Sequence, residues 1–232
     1  MQRYFTDKKE KNSFLLNDND LYHIYTVMRM HNDDLIEVVY NKELYICKLV
    51  DKNIEIVNKC EDKVDNYMEK VLVIPLLTES KMDYILQKGT ELGVDRIIPV
   101  RMNRSKIIID NNKEAKKIER WYKICKEAAE QSKRLDIPTI DNIRDFKYLE
   151  TLDGAKIVCS TNNCQSIKKF LTNNKNCDRL IMVVGPEGGL DKKEEDYLIS
   201  IGFEAVSFGK NILRAETAPL YLLSILNYEF ME

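Results

Sequence analysis

Leu180-Ile181-Met182-Val183-Val184-Gly185-Pro186-Glu187-Gly188-Gly189-Leu190 decides how this chain is read. An uninterrupted apolar run that ends at glycine and proline reads as a strand covered on both faces, as in parallel sheets. Asp191 then occupies an N-cap position and Glu194 follows three residues later, the spacing of a capping box, so a helix begins directly after the turn. Strand, glycine-rich turn and capped helix form an α/β junction. In such folds the ligand crevice lies outside the carboxyl ends of the strands, and glycines let backbone groups approach a ligand that a Cβ would hold away.

The turn matches neither G-x-G-x-x-G nor G-x-x-x-x-G-K-[ST], so pyrophosphate is not its obvious ligand. Taken alone it is compatible with ordinary turn chemistry. A second segment, Gly209-Lys210-Asn211-Ile212-Leu213-Arg214-Ala215-Glu216-Thr217-Ala218-Pro219, follows a short apolar strand at 205–208 and leads into a last apolar helix. Two such loops from neighbouring strands imply one site.

Outward from these loops the period of the sequence changes once. Before about residue 68, short strands at 13–16, 35–40, 43–50 and 54–57 alternate with polar turns, Asn41-Lys42 links two of them as a hairpin, and a helix is expected at 18–30. After it, an apolar strand at 71–77 precedes a helix capped by Ser80 and ended by Gly93. A strand at 96–100, a helix at 113–135, a strand at 156–159, a helix at 166–171 and the strand 180–184 follow. Strands alternating with helices mean a parallel sheet covered on both faces. The expected organisation is therefore a β-rich domain at 1–68 and an α/β domain at 69–232, joined through a polar linker at 61–67. The last helix, 217–230, is apolar on almost every side and is either a core helix or a partner surface.

The pair G-P-E-G-G-L and G-x-x-I-L-R-x-E-T-A, in this order at the C-terminus, resembles the ribosomal RNA small subunit methyltransferase E family of the SPOUT methyltransferases. Glu91-Leu92-Gly93-Val94, Arg104-Ser105 and Glu127-Ala128-Ala129-Glu130-Gln131-Ser132-Lys133-Arg134 resemble the same pattern, and Arg3-Tyr4-Phe5 and His23-x5-Arg29 do so more loosely. The resemblance implies a deep C-terminal trefoil knot, a PUA-like β-barrel at the N-terminus, S-adenosylmethionine as methyl donor and a homodimer. It also implies N3-methylation of one uridine in small-subunit (16S) rRNA, presented as free rRNA or as an assembled subunit. The alternatives are a SPOUT methyltransferase acting on tRNA or on a ribose 2′-hydroxyl, and a non-catalytic rRNA-binding assembly protein.

Bulk properties fit without demanding this. The chain of 232 residues carries a formal net charge of -2, yet from Arg101 to Arg134 eleven Lys or Arg stand against five Asp or Glu. That segment is locally basic and is read either as a phosphate-facing surface or as a solvated helix face. No apolar run reaches membrane-spanning length and the first residues lack a signal peptide's apolar region, so a cytoplasmic location is expected. Six cysteines without C-x-x-C or zinc spacing, and only two histidines, imply reduced thiols and no metal site.

Three strand-ending loops are expected to converge on the donor. Ser160, Thr161 and Asn162 come from one, Gly185, Pro186, Glu187, Gly188, Gly189 and Leu190 from the second, and Gly209, Ile212, Leu213 and Arg214 from the third. Leu190, Ile212 and Leu213 would enclose the adenine. Methyl transfer to a uridine nitrogen also requires the N3 proton to leave and charge to be stabilised at the neighbouring oxygens. Arg104 and Arg134 are the candidates for cationic orientation; Glu127, Gln131 and Glu216 complete the catalytic set, without the base being assigned among them. Arg3, Arg29 and Lys48, with Arg104 and Arg134, are candidates for RNA contact or ordinary surface charge.

Overall fold

A computed structural model describes residues 1–61, 68–160 and 164–230. The chain divides into two compact units, Met1–Asn66 with Lys126–Ile137, and Tyr67–Cys125 with Pro138–Glu232. The expected linker falls almost entirely outside the described residues, as do Thr161 and Asn162.

The smaller unit holds β1 (Arg3–Phe5), β2 (Lys8–Glu10), β3 (Ser13–Leu15), α1 (Asp18–Tyr22), β4 (Leu35–Tyr40), β5 (Glu43–Val50) and β6 (Asn53–Lys59). Its strands run β1-β4-β5-β6-β3-β2, an open path among the described residues rather than the closed barrel expected. Alternating side chains fill its core, with Tyr4, Phe14, Ile36, Val38, Cys47, Leu49 and Ile54 buried. The hairpin at Asn41-Lys42 is as expected, both residues adopting positive φ (50° and 62°), the geometry that matches strand twist. The expected helix at 18–30 is shorter: after α1 it widens into one π-turn over His23–Val27 and stops, with Arg29 at φ 53°. At the outer end of the sheet, Lys8, Lys9 and Glu10 are all exposed, and the Lys9 ammonium lies 5.1 Å from the Tyr45 ring centre.

Arg3 is buried, not the ordinary surface charge that is one of its two sequence readings. It is 7% exposed, its Nε donates to Glu37 at 2.8 Å, and its guanidinium also donates to the carbonyl oxygens of Lys133 and Arg134. A side chain so occupied ties β1 to the segment after the long helix.

In the larger unit the elements are β7 (Glu69–Pro75), α2 (Glu79–Glu91), β8 (Arg96–Arg101), α3 (Asn111–Gln131), β9 (Thr139–Ile140), β10 (Arg144–Asp145), β11 (Ala155–Cys159), β12 (Gln165–Ser166), α4 (Ile167–Asn173), β13 (Arg179–Val183), α5 (Lys192–Ser200), β14 (Glu204–Ser207) and α6 (Thr217–Phe230). The last turns of α3, from Lys126, group with the smaller unit. The sheet runs β10-β8-β7-β13-β11-β14-β12 with β9 beside β8, and its strand pairs are parallel. Six of the seven residues of β7 are buried, which is why its sequence shows no alternation. Val73, Ile98, Val158, Ile181, Val183, Leu198 and Phe203 share one core.

Other helix boundaries differ from expectation as well, notably in α2 and α3. α2 begins after Thr78, not Ser80, because the chain turns as soon as it leaves the sheet. α3 ends at Gln131 rather than 135, where Lys133 at φ 62° reverses the chain and the Arg134 amide bonds back to Ala129. α6 spans its expected range and buries Ala218, Pro219, Leu222, Leu223 and Leu226, so one face of it is core; Tyr221 and Tyr228 are exposed. It packs closely on α2, with Leu223 Cδ1 3.8 Å from where a Cβ on Gly89 would stand.

Candidate active site

Because β13, β11 and β14 are adjacent and parallel, the loops that follow them leave the same edge of the sheet. The first is the glycine-rich turn. Its backbone closes on itself through Gly189 N–H donating to the Pro186 carbonyl at 2.8 Å, with Gly189 at φ 69°. A Cβ on Gly185 would stand 3.0 Å from the Leu190 nitrogen, so glycine is required there by close approach. Beyond the turn the capping box forms as expected: Asp191 accepts from Glu194 N–H at 2.8 Å and Glu194 accepts from Asp191 N–H at 3.2 Å.

A neighbouring loop, the one after β8, braces this turn from outside. Arg104 donates to the carbonyls of Gly188 at 2.9 Å and Leu190 at 3.3 Å. Asn103 contributes its amide N–H to Glu194 at 2.7 Å and its side chain to Asp191 at 2.7 Å. Glu194 is only 5% exposed, so its carboxylate is a buried acceptor shared between the loop and the helix start. The Glu194 amide and Asn103 hold the Asp191 carboxyl below the usual range for aspartate.

The loop after β14 is held less. Gly209 at φ 118° exchanges hydrogen bonds with Ser207, Ile212 is 81% exposed, and the Arg214 side chain is 82% exposed. Leu213 is half-buried. A Cβ added at Gly189 or Gly209 would meet nothing within 4 Å, so both glycines border open space. In the β11 loop, the Ser160 hydroxyl donates to Glu195 at 2.5 Å and its N–H to Val206 at 3.0 Å.

A single ammonium connects the first and third loops. Lys81, in the first turn of α2, donates to Glu187 of the glycine turn and lies 3.3 Å from Glu216 before α6. Lys106 approaches Glu187 at 3.7 Å and Arg214 approaches Glu216 at 4.0 Å. Lys81 and Lys106 hold the Glu187 carboxyl below its ordinary range, and the two carboxylates raise Lys81 above its own.

The model for the RNA methyltransferase domain matches residues 65–227. Over nearly its whole length the chain is 33% identical to the ribosomal RNA small subunit methyltransferase E of Mesomycoplasma hyopneumoniae, covering 97% of this chain and 98% of that one. The chain belongs to the ribosomal RNA small subunit methyltransferase E family. Its Bacillus subtilis member is 32% identical over 99% of this chain and 97% of that one. The structure of the Neisseria gonorrhoeae family member, bound to S-adenosyl methionine, superposes with a TM-score of 0.87 at 28% identity, covering 99% of this chain and 98% of that one.

For this methyltransferase family member the expected site residues divide between the units. Arg104 and Glu216 stand in the α/β unit, Arg104 engaged with the glycine turn. Glu127, Gln131 and Arg134 lie at the end of α3 and just beyond it, in the part that groups with the smaller unit. Glu127 and Gln131 are exposed, whereas the Arg134 side chain is 12% exposed and paired with Asp136 at 2.8 Å. Arg29 is exposed, and Lys48 pairs with Asp33 at 3.0 Å. Sequence reading missed Lys81, Asn103 and Glu194 as site builders. Glu194 was visible as a capping residue, but its bond to Asn103 spans 91 positions and leaves no local signal.

Proposed function

We propose that this chain methylates N3 of one uridine of small-subunit rRNA with S-adenosylmethionine as donor. What carries the reading is the set of loops on three adjacent parallel strand ends, one of them braced and two bordered by glycines that face open space. At both glycines the backbone lies open to a ligand, and the ligand proposed there is an adenosine, read by backbone amides and flat apolar contact. Bound there, the donor supplies an electrophilic methyl group on a sulfonium. Ser160, Thr161, Gly185, Pro186, Glu187, Gly188, Gly189, Leu190, Gly209, Ile212, Leu213 and Arg214 are the residues proposed to hold it.

Arg104 and Arg134 are proposed to orient phosphate or carbonyl oxygens through guanidinium's planar fork, with Arg134 doing so only by leaving Asp136. Glu127 and Glu216 are the carboxylates proposed for taking the N3 proton, and Gln131 for hydrogen bonding to the base. Arg29 and Lys48 are the proposed phosphate contacts of a PUA-like RNA-binding unit, residues 1–68, beside a methyltransferase domain at 69–232.

The trefoil knot also belongs to this reading. It is supported by a strand order in which β13 enters between β7 and β11 although it follows both in the chain. A cytoplasmic location is proposed as well, and a homodimer, the latter supported by the exposed Tyr221 and Tyr228 on a largely apolar helix. No metal is part of this proposed reading. Sedimentation showing a monomer at micromolar concentration would overturn the dimer.

The decisive experiment offers methyl-labelled S-adenosylmethionine with small ribosomal subunits, free rRNA or tRNA, followed by nucleoside mass spectrometry. The expected product is labelled 3-methyluridine from small-subunit rRNA. Label in tRNA or on ribose would replace the substrate assignment, and absence of donor binding would overturn the activity.

A further inference from the structure

Lys81 occupies a position where helix electrostatics disfavours a cation, the first turn of α2, whose exposed N–H groups carry partial positive charge. Its ammonium is nevertheless the meeting point of two carboxylates from loops 29 positions apart, Glu187 after β13 and Glu216 before α6, with Glu216 at 3.3 Å. The Glu216 side chain is only 16% exposed and the oxygen facing Lys81 is buried. Other cations are poor substitutes: Lys106 is 80% exposed at 3.7 Å from Glu187, and Arg214 is 82% exposed at 4.0 Å from the other Glu216 oxygen. Without the ammonium, two carboxylates would face each other across the gap between the loops and push them apart.

We propose that Lys81 is a positioning residue for the donor site, setting the separation of the Gly185–Leu190 turn from the loop that ends at Glu216. The proposal rests on the reading that these loops hold S-adenosylmethionine. Lys81 acts through the two carboxylates and touches neither methyl group nor acceptor in this scheme. Because the need is for a charge between two charges, the effect of removing it is charge-specific: arginine should replace lysine, and neutralising one carboxylate should offset the loss.

Hydrogen exchange without ligand is the first test, on the parent protein, Lys81→Met, Lys81→Arg and Lys81→Met/Glu187→Gln. Faster exchange at Gly188, Gly189 and Leu213 in Lys81→Met, restored in the other two variants, is expected. Unchanged exchange in Lys81→Met overturns the proposal whatever the parent does with donor. Calorimetry with S-adenosylmethionine follows. Lys81→Met should bind about 10-fold or more weakly, since loops no longer held at their separation must be ordered at the moment of binding, with Lys81→Arg near the parent and the double variant between them. Equal affinity in Lys81→Met, or a loss that tracks a lowered melting temperature and is rescued by neither second variant, refutes it. Failure of the parent itself to bind donor overturns the donor-site reading and is distinguished by the exchange result.

Discussion

The glycine turn after β13 and the loop after β14 leave the same sheet edge, carry glycines at positive φ and are bordered by open space, yet they are built oppositely. The first is closed by its own hydrogen bond, clamped by Arg104 and joined to a buried carboxylate through Asn103. The second bonds locally at Ser207 and exposes Ile212 and Arg214. A site made of one preformed wall and one adaptable wall keeps an open entrance while limiting the ordering cost of binding to the second wall. On the proposed donor-site reading, the first loop should carry more of the fold's stability and the second more of the ordering cost of binding.

Four measurements break or sharpen that contrast. Glu194→Ala has the largest expected effect, a loss of about 3 kcal/mol in chemical denaturation, because the Asn103 and Asp191 amides lose a buried carboxylate acceptor. A loss under about 1 kcal/mol would mean the turn is not held by this carboxylate. Gly185→Ala is expected to cost about 2 kcal/mol, since the new Cβ crowds the Leu190 nitrogen at 3.0 Å. The matching change in the other loop, Gly209→Ala, meets no atom within 4 Å and should cost about 1 kcal/mol from backbone strain alone. If the two glycines prove equally costly, the distinction between walls fails. Ile212→Ala should change stability by less than about 0.5 kcal/mol while weakening donor binding measured by calorimetry; the reverse pattern would make Ile212 a packing residue.

The first wall should also be the acid-sensitive one. Asp191 is depressed in the folded state, so its contribution is present above the unfolded aspartate pKa of about 3.9 and is lost as pH falls through the lower folded value. Melting temperatures of the parent and Asp191→Asn should therefore differ at neutral pH and converge as the pH falls below the unfolded aspartate value. A gap independent of pH would assign the cap's contribution to shape rather than charge.

The parts of the architecture written in local chemistry were legible. β4, β5 and the Asn41-Lys42 turn follow from β-branched runs and a two-residue hairpin, and the α5 start follows from Asp191 and Glu194. The three-residue β1 and β2 and the two-residue β9, β10 and β12 were not, because strands that short depend on a neighbour rather than on their own pattern. Ser80 looked like a cap, but Thr78 begins α2 because the chain turns immediately after β7. At the site, glycines advertised the two loops, whereas Lys81 and Asn103 act across long separations that no spacing rule reports. Arg3 read as a surface cation because sequence does not reveal that Glu37 and two carbonyls await it indoors.

The outermost strand of the smaller sheet, Lys8-Lys9-Glu10, has a consequence of its own. A free strand edge is a template on which another chain can add a strand, and exposed charges make that addition unfavourable. Lys9, held over the ring of Tyr45, keeps one such charge fixed beside the hydrogen-bonding edge. The strand thus acts as a terminator of sheet growth, and replacing Lys8 and Lys9 with valine should leave the monomer fold intact while promoting fibrillar aggregation at high concentration.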